Sequence, residues 1–156
     1  MPHRLRAEIK QRRPFASAAQ EAFLNVLKTA DAVHRQLSEA LKPLGLTATQ
    51  YNVLRILRGA GDEGRTCSEI GERMVTRDPD ITRMLDRLHT RRLIARERSA
   101  EDRRVVRTRI TKEGVRLLDE AEGPIRALHD RQFGHLGKEQ ITTLIGTLEA
   151  VRTGNR

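Results

Sequence analysis

Apolar residues recur at intervals of three and four along most of this chain, which is the period of an amphipathic helix. The longest such stretch runs from Ser17 to Leu41, and another begins at Thr111 and continues to about Leu128. Shorter stretches with the same period lie at about residues 47–58, 66–74, 78–90 and 138–151. The pattern therefore predicts a mainly helical protein with an aliphatic core.

Residues that start and stop helices support these boundaries. Thr47 with Gln50, and Thr66 with Glu69, have the spacing of a capping box, in which two side chains satisfy free N–H groups of the first turn. In the sequence DPD at 78–80, the first aspartate suits a cap, the proline suits the first helical position, and the second aspartate complements the helix dipole.

Proline and glycine mark the breaks between the predicted helices. Pro43 and Gly45 end the first long helix, and Pro124 predicts a kink in the helix that begins after Thr111. Three glycines predict the loop after the second helix: Gly59, Gly61 and Gly64.

Two short segments, residues 93–98 and 104–110, alternate like strands and are joined by a polar turn, Ser-Ala-Glu-Asp-Arg. Two short helices, a tight turn and a β-hairpin in this order predict a winged helix-turn-helix. In that fold the second helix of the pair, here the one beginning near Asp78, enters a major groove of DNA.

Charge strengthens this interpretation because it is unevenly distributed. The net charge of +9 comes from residues 1–14, with five basic residues against one acidic, and from residues 77–109, with eleven arginines against six acidic residues. Elsewhere the two signs balance. Such segregation favours a surface that binds a polyanion, although chance clustering on a solvated surface remains an alternative.

The rest of the composition sets limits on location and size. At 156 residues the chain is expected to form one domain. It has no apolar run long enough for a membrane span or a signal core, and its single cysteine forms no internal disulfide. We therefore expect a cytoplasmic protein with no membrane partner.

The helix beginning near Asp78 has one apolar face, and its opposite face is the candidate DNA-reading surface. That opposite face carries Pro79, Arg83, Asp86 and Thr90, flanked by Thr82 and Arg87. Arg83 is the strongest candidate for reading a base, because arginine pairs bidentately with guanine. Thr76 and Arg77 are expected to meet phosphates just before the helix. Alternatively, Arg83 and Arg87 are solvated charges with Asp80 and Asp86 as local partners.

The hairpin turn is the second candidate contact, through Arg98, Arg103 and Arg104. Arginines on a projecting turn gain by releasing counterions from DNA, and narrow minor grooves favour inserted arginine. Asp102 is expected to orient a guanidinium rather than meet phosphate. The alternative is a surface loop whose charges compensate one another.

These segments resemble a known family. The sequence DRRVVRTRIT, residues 102–111, fits D-x-R-x5-[LI]-T and is similar to the wing of the MarR (multiple antibiotic resistance regulator) family. The segments LTATQYNVLRIL, CSEIGERM, ITRMLDRLHTRRLIARER and ITKEGVRLL stand in the order that this family uses around the wing. The match extends over nearly the whole chain.

The resemblance implies a homodimeric transcription factor, usually a repressor, that a small aromatic or phenolic effector releases from DNA. It implies one domain over residues 1–156, with dimerisation helices at 15–42 and 111–153, a winged helix-turn-helix lobe at 47–110 and a basic N-terminal arm at 1–14. The arm is longer and more basic than the fold requires, and it either touches flanking phosphates or extends the dimer interface. Carried over by motif, Asp102 and Arg104 form the wing pair, and Arg77, Thr82 and Arg83 belong to the recognition helix. Arg92 stands where the family usually has glycine, which puts the local geometry there in doubt.

Dimerisation is also expected from the apolar faces of the long terminal helices, which a two-fold partner would bury. Two recognition helices would then lie about 34 Å apart, and the operator would be palindromic.

Other candidate sites are weaker. Cys67, near a helix start, is either a redox switch or, more simply, a small packing residue. His34 and Tyr51 are candidates for lining an effector pocket, although each is as easily a core residue with a satisfied polar tip. The histidines have no metal-ligand spacing, so we expect neither metal nor cofactor.

Three classes of function are open to such a chain. We find no nucleophile–base pair or phosphate loop, so an enzyme is not expected. A site-specific regulator explains charge, helix order and wing together. A non-specific architectural nucleic-acid-binding protein is the alternative, and operator preference separates the two.

Overall fold

The structure is a computed structural model that describes residues 4–77, 80–100 and 102–154. Its contacts divide the chain into two compact units, of which the first ends at Gln36 and the second begins at Leu37. The elements, in chain order, are α1 (Arg4–Glu8), α2 (Ala18–Leu41), α3 (Ala48–Ala60), α4 (Cys67–Arg73), α5 (Ile81–Thr90), β1 (Ile94–Arg98), β2 (Val106–Ile110), α6 (Lys112–Phe133) and α7 (Lys138–Thr153).

The predicted fold class, mainly α with a small β-hairpin wing in a winged helix-turn-helix, is confirmed. The bounds of the predicted helices agree with the structure to within a few residues, except at the end of α6 and the start of α5. The short α1 was not predicted. It has only five residues, too few to establish a helical period.

Local side-chain contacts explain why the helices of the second unit begin where they do. Thr47 with Gln50, and Thr66 with Glu69, form the two predicted capping boxes at the starts of α3 and α4. Thr111 caps α6 by accepting a hydrogen bond from the N–H of Gly114 at 3.1 Å. The helix continues through Pro124 to Phe133, beyond its predicted end.

The start of α5 differs from the prediction. The helix begins at Ile81, and the backbone of Asp80, with φ −125° and ψ 46°, is not helical. Asp80 does not cap the helix with its side chain, and its carboxylate instead pairs with Arg83 at 3.2 Å. The predicted cap at Asp78 and first-turn position of Pro79 lie outside the described residues.

Arg92, at the end of α5, occupies a position that suits glycine better, as predicted, because its backbone is left-handed with φ 59°. The N–H groups of Arg92 and Leu93 donate to the carbonyls of His89 and Leu88, which is a Schellman motif. Leu88 and Leu93 are both buried, so the apolar contact typical of this motif is available. The Arg92 carbonyl also accepts a hydrogen bond from Thr111 Oγ1 at 2.7 Å, which links the end of α5 to the start of α6.

The core of the second unit consists of aliphatic side chains from α3 to α6 together with Leu41 at the end of α2. Its most deeply buried members include Leu54, Leu57, Ile70, Leu88, Ile94 and Leu118. The strands β1 and β2 pair antiparallel, with Ile94 opposite Ile110. Arg65 adds a bridge to Thr108 on the outer side of β2, so the wing is attached to the segment before α4.

Gly64 permits this attachment. It has φ 63°, and a Cβ built there would lie 2.7 Å from the carbonyl oxygen of Thr108. A side chain at this position would therefore push β2 away from the segment that holds it. Within the described residues, no helix is long and apolar enough to cross a bilayer.

Candidate nucleic-acid interface

The helix α5 is held by its apolar face and presents its polar face to solvent. Met84, Leu85 and Leu88 are buried in the core, and Ile81 packs against it. The predicted polar positions of α5 are all exposed: Thr82, Arg83, Asp86, Arg87 and Thr90. The helix therefore exposes the face predicted from the sequence to meet DNA, apart from Pro79, which lies outside the described residues.

The two arginines of that face differ in their surroundings. Arg83 pairs with Asp80 through an i,i+3 contact in which the Arg83 side chain is 73% exposed and that of Asp80 is 51% exposed. Arg87 has no side-chain hydrogen bond or ion pair among the described residues. Because an exposed ion pair is weak, both guanidinium groups are available to a ligand.

The turn between α4 and α5 is held by Asn52, whose role was not predicted from the sequence. Asn52 of α3 accepts a hydrogen bond from the Val75 N–H through its Oδ1 atom at 2.9 Å. Thr76 and Arg77, the candidate phosphate contacts, follow directly and are exposed. Nothing in the spacing of Asn52 signals this role, because its partner is 23 residues away.

Arg96 links the wing to α5. Its guanidinium donates to Asp86 Oδ1 at 2.6 Å and to the Thr82 carbonyl at 3.5 Å. The Arg96 side chain is only 26% exposed, so this contact is better shielded than the Arg83 pair. Asp86 therefore orients an arginine of β1. The alternative interpretation, with Asp80 and Asp86 as local partners of the α5 arginines, holds for the Arg83–Asp80 pair and is wrong for Asp86.

Two further arginines of β2 attach the hairpin to the loop before α4. Arg109 pairs with Glu97 across the hairpin and donates to the carbonyl of Asp62. Arg107 donates to the carbonyl of Glu63 at 3.5 Å. These contacts attach the wing to the loop before α4.

The arginines near the tip of the wing have a different environment. Arg98, Arg103 and Arg104 are exposed, and their side chains have no hydrogen bond or ion pair within the part of the chain that the structure describes. The N–H of Ser99 donates to the Val105 carbonyl at 2.8 Å, which closes the turn at its base. The three predicted contact residues thus remain accessible.

Asp102 has a different partner from the predicted guanidinium. Its Oδ1 atom accepts a hydrogen bond from the backbone N–H of Arg104 at 2.9 Å, and its carbonyl accepts one from Val105. An aspartate that bonds the backbone two residues ahead stabilises a turn. Asp102 therefore shapes the tip of the wing and fixes the backbone of Arg104, the other member of the predicted wing pair.

Arg91 also has a structural role that the sequence did not reveal. Its guanidinium donates to the carbonyls of Gly45 at 2.6 Å and Leu44 at 3.4 Å. These carbonyls belong to the turn after α2, at which Gly45 has a positive φ of 62°. Arg91 thereby ties the end of α5 to this turn.

Three further candidate residues, His34, Tyr51 and Cys67, have the following surroundings. His34 is exposed on α2, in the first unit, and Tyr51 is half-buried against the core of the second, with the Arg55 guanidinium 5.9 Å from its ring centre. Cys67 is exposed, with Sγ 3.9 Å from Thr82 Oγ1, so it is not a buried packing residue. Among the described residues, no group of His, Cys, Asp and Glu side chains could hold a metal ion.

Comparison of the sequence with protein families gives one assignment. A family model described as MarR family matches residues 44–105. The transcriptional repressor MdtR of Bacillus subtilis is 32% identical over 109 residues, which covers 70% of this chain and 69% of MdtR.

Solved structures extend the likeness to most of the chain. A MarR transcription factor from Planctomyces limnophilus is 40% identical, with a TM-score of 0.68 over 87% of this chain and 98% of that one. A mutant MarR from E. coli in complex with operator DNA is 28% identical, with a TM-score of 0.74 over 81% and 89%. CouR from Rhodococcus jostii RHA1, bound to p-coumaroyl-CoA, is 26% identical, with a TM-score of 0.74 over 89% and 96%.

Proposed function

The chain belongs to the MarR family of transcriptional regulators, and on this premise we propose that it is a homodimeric repressor that binds a palindromic operator. The observation that carries this proposal is the difference in roles among the arginines around α5 and the wing. Arg91, Arg96, Arg107 and Arg109 hold the lobe together through protein contacts. A second group is exposed and has no protein partner among the described residues: Arg77, Arg87, Arg98, Arg103 and Arg104.

This accessible group has the chemistry that duplex DNA requires. Arg77, Thr76 and the wing arginines meet phosphates or the minor groove, where each neutralised phosphate releases counterions. Arg83, Thr82 and Arg87 face base edges from α5 in the major groove. Asp102 supports the wing indirectly, through the backbone of Arg104.

A dimer is supported by apolar side chains that the single chain leaves exposed. On α2 these are Phe23, Val26 and Leu27, and on α7 they are Leu144, Ile145 and Val151. The members of each set are adjacent or about one or two helical turns apart, so each set lies on one broad helix face. Burying such faces against a two-fold partner removes apolar surface from water and gives each dimer two recognition helices.

Repression and release are proposed from relatives. MdtR is named a repressor, and CouR binds p-coumaroyl-CoA. We therefore place an aromatic or phenolic effector among the ligands of this protein, acting by binding the DNA-free state more tightly than the DNA-bound state. A regulator of this kind acts on the chromosome, so the cytoplasm is its proposed location.

The test is binding of the purified protein to the intergenic DNA beside its own coding sequence, against a shuffled duplex of equal length, over a salt series. A site-specific regulator should prefer the intergenic duplex by a factor of roughly 10³ or more at moderate salt. Equal affinity for both duplexes, collapsing as salt rises, would instead support the architectural alternative. A panel of phenolic acids and their CoA thioesters added to the preformed complex then tests release.

A further inference from the structure

The N-terminal arm, residues 1–14, carries a share of the excess positive charge that the proposed lobe–DNA contacts do not use. Its five basic residues face a single acidic one, Glu8. All five are exposed: Arg4, Arg6, Lys10, Arg12 and Arg13. None of their side chains makes a hydrogen bond or ion pair with any described residue. By contrast, Arg35 on the neighbouring α2 pairs with Asp31 at 3.2 Å.

Much of the described arm is folded, so part of its charge is held in place. Leu5 of α1 is buried, with 4% of its surface exposed. The N–H groups of Ile9 and Gln11 donate to the carbonyls of Leu5 and Arg6, which extends ordered backbone beyond α1. Cations on an ordered segment lose less conformational entropy on binding than cations on a free tail.

The chemistry of the arm fits an anionic partner better than a protein surface. The core of a protein interface is apolar and depleted in charge. Among large hydrophobic residues of the described arm, only Ile9 is exposed, at 38%, while all five cations are exposed. Four arginines and one lysine that have no carboxylate partner among the described residues instead suit a phosphate backbone.

We propose that the N-terminal arm binds phosphates of the duplex that flanks the operator. This inference rests on the proposed function, because it assumes that the winged helix-turn-helix lobe is on its operator. The arm adds affinity and salt dependence but no base discrimination, since phosphates carry no sequence. Its contribution requires base pairs outside the half-sites.

The experiment compares the full-length protein with two arm variants, Arg12→Gln/Arg13→Gln and Arg4→Gln/Arg6→Gln. Lys42→Gln/Lys138→Gln is the matched control, because it removes the same charge from exposed residues outside both basic segments. Affinities are measured over a salt series on an operator duplex with about one helical turn of flanking DNA on each side, and on the same operator trimmed to its half-sites. A shuffled long duplex gives the discrimination ratio.

On the long duplex, we expect the slope of log K against log salt to become shallower by about 0.9 for each phosphate that the dimer no longer neutralises. The ratio of operator to shuffled affinity should stay within about twofold of wild type, because the substituted side chains meet phosphates and no base edges. Trimming the flanks should lower the wild-type slope and leave the arm variants nearly unchanged.

Other outcomes overturn the inference. Arm variants with the wild-type slope, or with the slope of the lysine control, would show that the arm does not meet DNA. Weakened dimerisation in sedimentation equilibrium, in parallel with the loss of affinity, would assign the arm to the subunit interface. The proposed function fails if wild type does not distinguish operator from shuffled DNA. The arm's effect on the slope remains measurable on the long duplexes in that case, so failure of the proposed function and failure of this inference are distinguishable.

Discussion

Arg92 has a backbone conformation that is costly for a residue with a Cβ. Left-handed φ costs an L-residue roughly 1–2 kcal/mol, and the Schellman motif at the end of α5 requires it here. Glycine adopts this conformation without strain but is also freer in the unfolded chain. We expect Arg92→Gly to raise the free energy of unfolding by about 1 kcal/mol, measured as a shift of the urea midpoint at unchanged m-value.

Arg92→Ala is the matched control, because it removes the guanidinium and keeps the Cβ. It should give no comparable gain in stability. If alanine stabilises as much as glycine, the cause is the removal of a positive charge from a basic segment, and backbone strain at this position is negligible.

Arg83 tests whether α5 reads bases. Its pair with Asp80 is largely exposed, so Arg83→Ala should change the free energy of unfolding by no more than about 0.5 kcal/mol. On the operator the same change should cost about 1–3 kcal/mol of binding, with little loss on a shuffled duplex. Arg104→Ala, in contrast, should weaken both complexes and flatten the salt dependence. Equal losses on both duplexes for Arg83→Ala would remove its assigned role.

The capping box that starts α4 is also a pH-sensitive element. The Glu69 carboxylate accepts the N–H of Thr66 at 2.8 Å, and hydrogen bonds from Thr66 lower the pKa of Glu69 below its ordinary value of 4.5. A lowered pKa stabilises the folded state above the unfolded pKa, and this stabilisation disappears as pH falls through the folded pKa. Wild type should therefore lose more stability than Glu69→Gln between about pH 5 and pH 3.

Glutamine keeps the cap in this comparison, as Gln50 does at the start of α3. The measurement is the urea midpoint of both proteins across that pH range. If the two stability curves run parallel over this pH range, titration of the Glu69 carboxylate makes no contribution to the pH dependence of stability.

The boundaries of most elements were predictable because their causes are local. The capping boxes of α3 and α4 act within four residues, and their sequence spacing is sufficient to predict them. The roles of the arginines were not predictable to the same degree. Arg91 and Arg107 donate to carbonyls that lie more than forty residues earlier in the chain. Arg96 of β1 pairs with Asp86 of α5. The sequence predicted which segments concentrate the arginines, and only the fold separates structural arginines from accessible ones.

At the scale of the whole molecule, the proposed function depends on dimerisation, because one recognition helix reads one half-site. Ile145 on α7 is 51% exposed in the single chain and belongs to the apolar face with Leu144 and Val151. A glutamate there would bury an unpaired charge in a two-fold interface, at a cost of several kcal/mol. We expect Ile145→Glu to be monomeric by sedimentation equilibrium at micromolar concentration and to lose operator preference.

Thr143→Glu is the control for this change, because Thr143 is exposed on the same helix and has none of the three apolar side chains three or four residues away. It introduces the same charge, lowers net charge equally and should remain dimeric with near wild-type discrimination. If both variants lose operator binding equally, added negative charge is the cause and α7 is not the interface. If Ile145→Glu stays dimeric, the exposed apolar face of α7 serves another partner, and a palindromic operator no longer follows from the symmetry of this face.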